Sequence, residues 1–257
     1  MTRIVIPPVY GSSEQFLSYF WNNYIVVEVA RTVARPEPRQ ISMSEELVRK
    51  SIHLASLGIP IIYSFVTKAQ MLWVLIPFTL VCLVIDYGRH YVPFVQRFFL
   101  WLFGSILREH EKDGGKKLLS GGTYVLISAC LCILIFPKVI AITAFGILIV
   151  SDAVSALIGR RFGRHRFFDK SVEGSLAFFL SACIVVALSP KAGTDSMEFI
   201  VGFIAAAVGA LIEAMSVRLK VDDNFSVPSS IGIVMWLSYY LLSLSTSHSG
   251  LLQQLMQ

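Results

Sequence analysis

A single stretch of the sequence, residues 151–175, carries most of the groups able to do chemistry. Asp152 opens it. Gly159 and Gly163 follow at seven- and eleven-residue offsets, with Arg160, Arg161, Arg164, Arg166 and Lys170 around them, and it closes on Ser171, Glu173, Gly174 and Ser175. Apolar sequence flanks it on both sides, so a carboxylate at Asp152 stands in or at the edge of a membrane helix. An ionisable group there costs about 2.5 to 3.5 kcal/mol on insertion scales and marks a functional position. Glycines allow close approach of backbone to a ligand, and five cations supply charge for a polyanion such as a nucleoside triphosphate. The pattern reads as a phosphate site.

The elements that must hold this loop are set by composition. Over 257 residues the chain is 55% hydrophobic and 15% charged, with a mean hydropathy of +0.67. That excludes an ordinary soluble domain and predicts a multi-pass membrane protein. Apolar runs near twenty residues fall at about 51–66, 71–87, 119–136, 139–158, 173–189, 198–217 and 229–246. They predict an all-α, polytopic membrane helix bundle of about seven transmembrane helices. The shorter apolar stretch 92–107, interrupted by Arg97, reads as a mid-chain interfacial helix, and Glu14 to Arg35 as an N-terminal one. The chain divides into an interfacial segment 1–47, ending in the linker Arg35-Pro36-Glu37-Pro38, a membrane-embedded bundle 48–247 and a short tail 248–257. The first residues lack the basic and apolar regions of a cleavable signal peptide. Cys82, Cys130, Cys132 and Cys183 all lie in apolar segments and show neither zinc-site nor disulfide spacing.

Charge orients the bundle. With a cytoplasmic N-terminus, nineteen of the 22 Lys and Arg residues fall on the cytoplasmic side, and only Lys68, Lys138 and Lys191 on the other. The net charge of +5 is therefore a topology signal and not a nucleic-acid footprint. On the same expected face lie Arg49, Lys50 and His53 opening the first span, Asp86 at the end of the second, and Arg108 and Glu109 before the third. Gly121-Gly122-Thr123-Tyr124 begins the third, Glu213 and Ser216 end the sixth, and Asp222-Asp223-Asn224 falls in the following loop.

These blocks resemble the CTP-dependent polyprenol kinase family, which includes dolichol kinase, phytol kinase and the fungal CTP-dependent diacylglycerol kinase. Asp152 with Ala156, Gly159 and Gly163, then Lys170-Ser171-x-Glu173-Gly174-Ser175, is similar to the family's core motif. Arg49-Lys50-x-x-His53 with Gly58, Gly121-Gly122-Thr123-Tyr124, and Glu213-Ala214-x-Ser216 with Asp223-Asn224 and Pro228 are similar to its other three, in order over about residues 48–232. Ser151 stands where many relatives have glycine, and Ser171 and Ser175 where many have threonine. The central block also resembles phosphatidate cytidylyltransferase, which makes CDP-diacylglycerol from CTP and phosphatidate. That family's terminal Lys-Arg, Lys-Asp and His-Gly-Gly signature is missing here, which favours the kinase. An anion transporter using Asp152 and Glu213 as a proton relay is the reading from a different class.

The resemblance implies transfer of the γ-phosphoryl group of CTP to the hydroxyl of a lipid alcohol in the bilayer, with Mg²⁺ as cofactor. Asp152, Lys170, Glu173 and His53 are the expected catalytic residues. Gly159, Arg160, Arg161, Gly163, Arg164, Lys170, Ser171, Gly174 and Ser175 are expected to hold the nucleotide, and Asp152, Glu213 and Asp223 the metal, since hard oxygen ligands suit Mg²⁺. Glu173 is either a metal ligand or a helix cap. His53 either handles the lipid hydroxyl or packs at the interface. Arg49, Lys50, Thr123 and Asn224 are further candidates. The bacterial inner membrane and the endoplasmic reticulum both fit as locations.

Overall fold

The computed structural model describes residues 43–103, 119–193, 196–219 and 221–244, all within the compact unit Ser42–Gln257. The interfacial helix expected over 14–35, the Arg35–Pro38 linker, Arg108, Glu109 and the tail 248–257 lie outside these residues. The helices are α1 (Met43–Ala55), α2 (Gly58–Phe65), α3 (Lys68–Gly88), α4 (Pro93–Phe103), α5 (Gly121–Ile135), α6 (Lys138–Phe162), α7 (Val172–Leu188), α8 (Met197–Ala214), the single turn α9 (Ser216–Leu219) and α10 (Asp223–Ser243). Each of the seven apolar stretches is mainly helical over its described residues. Four helices, α3, α6, α8 and α10, are long and apolar enough to cross a membrane, while α5 and α7 are shorter apolar helices. At 1.5 Å per residue the four rise about 27 to 38 Å, which matches a hydrocarbon core. The eleven-residue α4 rises only about 16 Å, too short for a span.

Three expectations are corrected by local chemistry. The first apolar stretch is two helices broken at Ser56 and Leu57, whose N–H groups turn back to His53 and Leu54 carbonyls at 3.0 and 2.9 Å. Pro60 explains the break. It has no N–H to offer the Ser56 carbonyl, and its ring would collide with that carbonyl in a continuous helix. Asp223 and Asn224 are not in a loop: Asp222 caps α10 through its side chain, and both lie in the helix's first turn. The bundle is also not purely helical, because Arg166–Phe167 and Lys170–Ser171 pair as an antiparallel hairpin, β1 and β2.

The core forms around α6. Its apolar window is 78% buried against 22% for α3, which makes α6 the central helix and α3 a peripheral one. Ile140, Ile147, Leu148 and Ile149 of α6 pack with Phe178 of α7 and Val227 and Ile231 of α10, all fully buried. Trp73, Val74, Phe78, Val81 and Val84 on α3 are exposed, a surface suited to lipid. The four cysteines are free thiols, and Cys130 and Cys132 are buried in α5.

Polar contacts between helix ends fall into two sets. At one end lie the three lysines that break the charge asymmetry. Lys68 donates to the Leu134 carbonyl at 2.8 Å, Lys138 to the Val66 carbonyl at 2.9 Å, and Lys191 to the Val186 and Ser189 carbonyls. All four acceptors belong to helix C-terminal ends, whose last carbonyls have no intrahelical donor and whose dipole favours a cation. Glu198, fully buried in the first turn of α8, accepts from the Ala192 and Gly193 amides at 2.7 and 2.6 Å and from the Tyr239 hydroxyl at 3.0 Å. The polar groups of this end are thus used in closing turns. Lys50, Asp152, Lys170 and Glu213, singled out in the sequence, meet in the other set.

Candidate active site

The offsets between Asp152, Ser155 and Gly159 put them on one stripe of α6. That stripe meets three elements in turn. Asp152 receives a hydrogen bond from Lys50 Nζ of α1, which also donates to the Asp152 carbonyl at 3.3 Å. His53, one turn beyond Lys50, holds Nε2 3.5 Å from Asp152 Oδ2. Ser155 Oγ donates to Glu213 Oε1 of α8 at 3.2 Å, and Lys170 Nζ of β2 reaches the same oxygen at 2.8 Å. Two ammonium–carboxylate pairs therefore sit side by side, Lys50–Asp152 and Lys170–Glu213, with Ser155 between them. Asp152, Lys50 and Glu213 are buried, and Glu213 Oε2 and His53 Nε2 are buried without a hydrogen-bond partner.

Asp223 joins this group through space. Burial alone would lower the Lys170 ammonium's pKa, but the carboxylates of Glu213, Asp223 and Asp152 outweigh it and hold the group above its ordinary value. A cation kept charged between three acids is suited to an anionic ligand that brings its own countercharge. The charges of Asp152 and Asp223 both act on Lys170, although the three are far apart in sequence.

The glycines work inside the protein. Gly159 and Gly174 mark the crossing of α6 and α7: a methyl group added at Gly174 would stand 3.2 Å from Gly159 Cα and from the Ser155 carbonyl oxygen. One added at Gly163 would lie 2.2 Å from the Gly159 carbonyl oxygen and 2.7 Å from Ser171 Oγ. Ser171 caps α7 by accepting from the Gly174 amide at 3.1 Å, and its side chain fills the space these glycines leave. The close backbone approach read from the sequence is therefore between two helices, which fixes the hairpin between them. Ser175 is buried in the same wall, with its hydroxyl unpartnered.

Glu173 turns to His165, accepting from its backbone amide at 3.3 Å and lying 2.8 Å from its Nδ1, and so closes the hairpin's base. Arg160, Arg161, Arg164 and Arg166 are exposed along the end of α6 and the hairpin. Asn224 donates to Asp222 Oδ1 in the α10 cap. Arg49 is half-buried near His53. Thr123 belongs to a neighbouring cluster, donating at 2.8 Å to Asp86 Oδ2, which also accepts from the Ser120 amide at 2.6 Å. Asp86 pairs with Arg89 Nε at 2.9 Å, and Arg89 lies 4.3 Å from the Phe99 ring centroid, joining α3, α4 and α5.

Among the described residues no group of three or more His, Cys, Asp or Glu side chains converges as a metal cage. Asp152, Glu213 and Asp223 do not form one because lysines stand against two of them. Sequence reasoning missed Ser155 as a hydrogen-bond partner of Glu213, and Asp169 and Arg218 altogether. Ser155 was signalled by its position one turn from Asp152. The Asp169–Arg218 contact spans 49 residues and left no local trace.

A bundle with membrane-crossing helices and a buried charged site at one end defines an integral membrane protein of the enzyme-like kind. No family model and no solved structure matches the chain. Curated relatives do. An uncharacterized protein of Methanocaldococcus jannaschii is 31% identical over 196 residues, covering 74% of this chain and 92% of its own. The phytol kinase of Synechocystis is 36% identical over 106 residues, 38% of this chain and 45% of its own. The CTP-dependent diacylglycerol kinase 1 of Schizosaccharomyces pombe is 27% identical over 169 residues, 59% and 73% of the two chains. These kinase-named relatives support a place for the chain in the CTP-dependent lipid kinase family.

Proposed function

We propose that this protein is a membrane kinase that moves the γ-phosphoryl group of CTP to the hydroxyl of a lipid alcohol of the polyprenol, phytol or diacylglycerol class, at the cytoplasmic face. The observation that carries the reading is the convergence of Lys50, His53, Asp152, Lys170, Glu213 and Asp223 at one end of the bundle. Phosphoryl transfer needs positioning and charge neutralisation more than covalent help, and this cluster offers both. CTP as donor is supported by the named fungal relative. The orientation is supported by the distribution of Lys and Arg. A transporter would place its charged groups near the middle of the bundle, where this protein is apolar.

Mg²⁺ fits the donor set. Carboxylates are hard oxygen ligands, Glu213 Oε2 is buried and unpartnered, and Mg²⁺ is usually held by one or two carboxylates together with substrate phosphates, without a dedicated protein cage. Asp152, Glu213 and Asp223 would hold it. Bound there, the ion would neutralise charge on the triphosphate oxygens. Lys170 and Lys50 then bind phosphate oxygens from two sides of α6, exchanging one anionic partner for another. His53 receives the proton of the lipid hydroxyl as its oxygen bonds to the γ-phosphorus and the bond to CDP breaks. The surrounding helices keep bulk water from competing as acceptor.

The test uses purified protein, a panel of lipid alcohols and CTP labelled at either the γ- or the α-phosphate. Transfer of γ-label into lipid, lost on chelating divalent ions, is the expected result. Incorporation of α-label instead would make the protein a cytidylyltransferase, and no transfer with either label would refute both enzymatic readings.

A further inference from the structure

Lys170 sits on a hairpin of two residues per strand, which has little stability of its own. Its turn contains Phe168 at φ 51°, the left-handed region that a phenylalanine seldom adopts, and Phe168 is the one non-glycine residue with positive φ among those described. Something outside the hairpin has to hold this turn. The next residue, Asp169, makes three contacts to the segment directly after Glu213. Its amide donates to the Ala214 carbonyl at 3.1 Å. Its carboxylate accepts from the Arg218 backbone amide at 3.1 Å and from Arg218 Nε at 3.3 Å. The Arg218 guanidinium lies 5.1 Å from the Phe168 ring centroid. Asp169 precedes Lys170, and Ala214 follows Glu213. Each half of the 2.8 Å Lys170–Glu213 pair is thereby indexed to the other by its sequence neighbour.

We infer that Phe168, Asp169 and Arg218 form a clasp that sets the reach of Lys170 into the site, making them positioning residues for nucleotide binding. The inference rests on the reading that Lys170 meets the nucleotide phosphates. An exposed ion pair contributes little by charge alone, so the clasp acts through geometry, by fixing the turn between Phe167 and Lys170. The Arg218 side chain is about half exposed and is not among the buried core residues, so replacing it leaves the bundle's packing in place.

The full-length enzyme is assayed with CTP and lipid in detergent, alongside its thermal unfolding midpoint. Arg218→Ala and Asp169→Asn should each raise the KM for CTP roughly three- to tenfold, the change expected from losing an ordinary hydrogen bond. The KM for lipid and kcat should move little. Arg218→Lys should recover most of the loss. Adding Phe168→Gly to Arg218→Ala should recover part of it, because glycine takes the left-handed turn without a clasp. A lower midpoint and lower kcat at unchanged CTP KM would mean a merely structural role and overturn the inference. If Lys170→Ala raises the CTP KM while the clasp variants do not, the clasp fails and the reading of Lys170 stands. If Lys170→Ala leaves that KM unchanged, the reading of Lys170 fails and the clasp with it.

Discussion

Replacing Asp152 by asparagine separates what this carboxylate does for the fold from what it does for catalysis. Lys50 and Asp152 have side chains only 6% and 11% exposed, so the variant leaves a buried ammonium facing a neutral amide. Breaking such a pair from one side costs about 3 to 5 kcal/mol, whereas replacing both partners with uncharged groups is often near neutral. The lower end applies here, because Lys50 also donates to the Asp152 carbonyl at 3.3 Å, a contact the variant keeps. Lys50→Met alone should cost less than Asp152→Asn, since Asp152 retains His53 at 3.5 Å and the charge of Lys170. The double variant Lys50→Met with Asp152→Asn should recover most of the stability lost by Asp152→Asn, giving a non-additive cycle. Its phosphoryl transfer should stay abolished. Unfolding of the four proteins in one detergent, read beside γ-label transfer, tests both halves. Additive single effects, with a double variant no more stable than Asp152→Asn, would refute the buried pair. Transfer by either variant lacking the carboxylate would refute its role in the reaction.

Gly174→Ala should destabilise the α6–α7 crossing by about 1 to 3 kcal/mol, the usual cost of overpacking, because its methyl meets two backbone atoms at 3.2 Å; a thermal midpoint equal to the parent's would count against that packing. The Lys170 pKa is raised, so the stability from its pair with Glu213 is complete below the unfolded lysine value of about 10.4 and fades only as pH climbs through the higher folded value. CTP KM measured from about pH 6 to 9 should therefore show no rise that Lys170→Arg displaces. Glu198→Gln should lower the unfolding midpoint, since it weakens bonds from two amides and Tyr239, while leaving both substrate KM values at parent levels. A changed CTP KM there would mean that the two ends of the bundle are coupled.

Much was already determined along the chain. Hydropathy alone placed the four helices that are long and apolar enough to cross a membrane, because a helix in lipid must be long and apolar whatever its neighbours are, while the other three expected spans are shorter or broken helices. The offset from Lys50 to His53, and from Asp152 through Ser155 to Gly159, fixed which side chains share a helix face, since 3.6 residues per turn is a local property. Burial cost alone made Asp152 and Glu213 stand out. Tertiary structure decided which acid meets which base. Lys50 lies 102 residues from Asp152 and Lys170 lies 43 from Glu213, and no local rule chooses between those pairings and the crossed ones. It also gave the glycines to a helix crossing and not to an open cleft, because a glycine's small size is written in the sequence while the identity of the atom that fills the space is not. The clasp on the hairpin was beyond reach for the same reason: Asp169 and Arg218 are ordinary polar residues until the fold brings α8 and the α9 turn beside the hairpin.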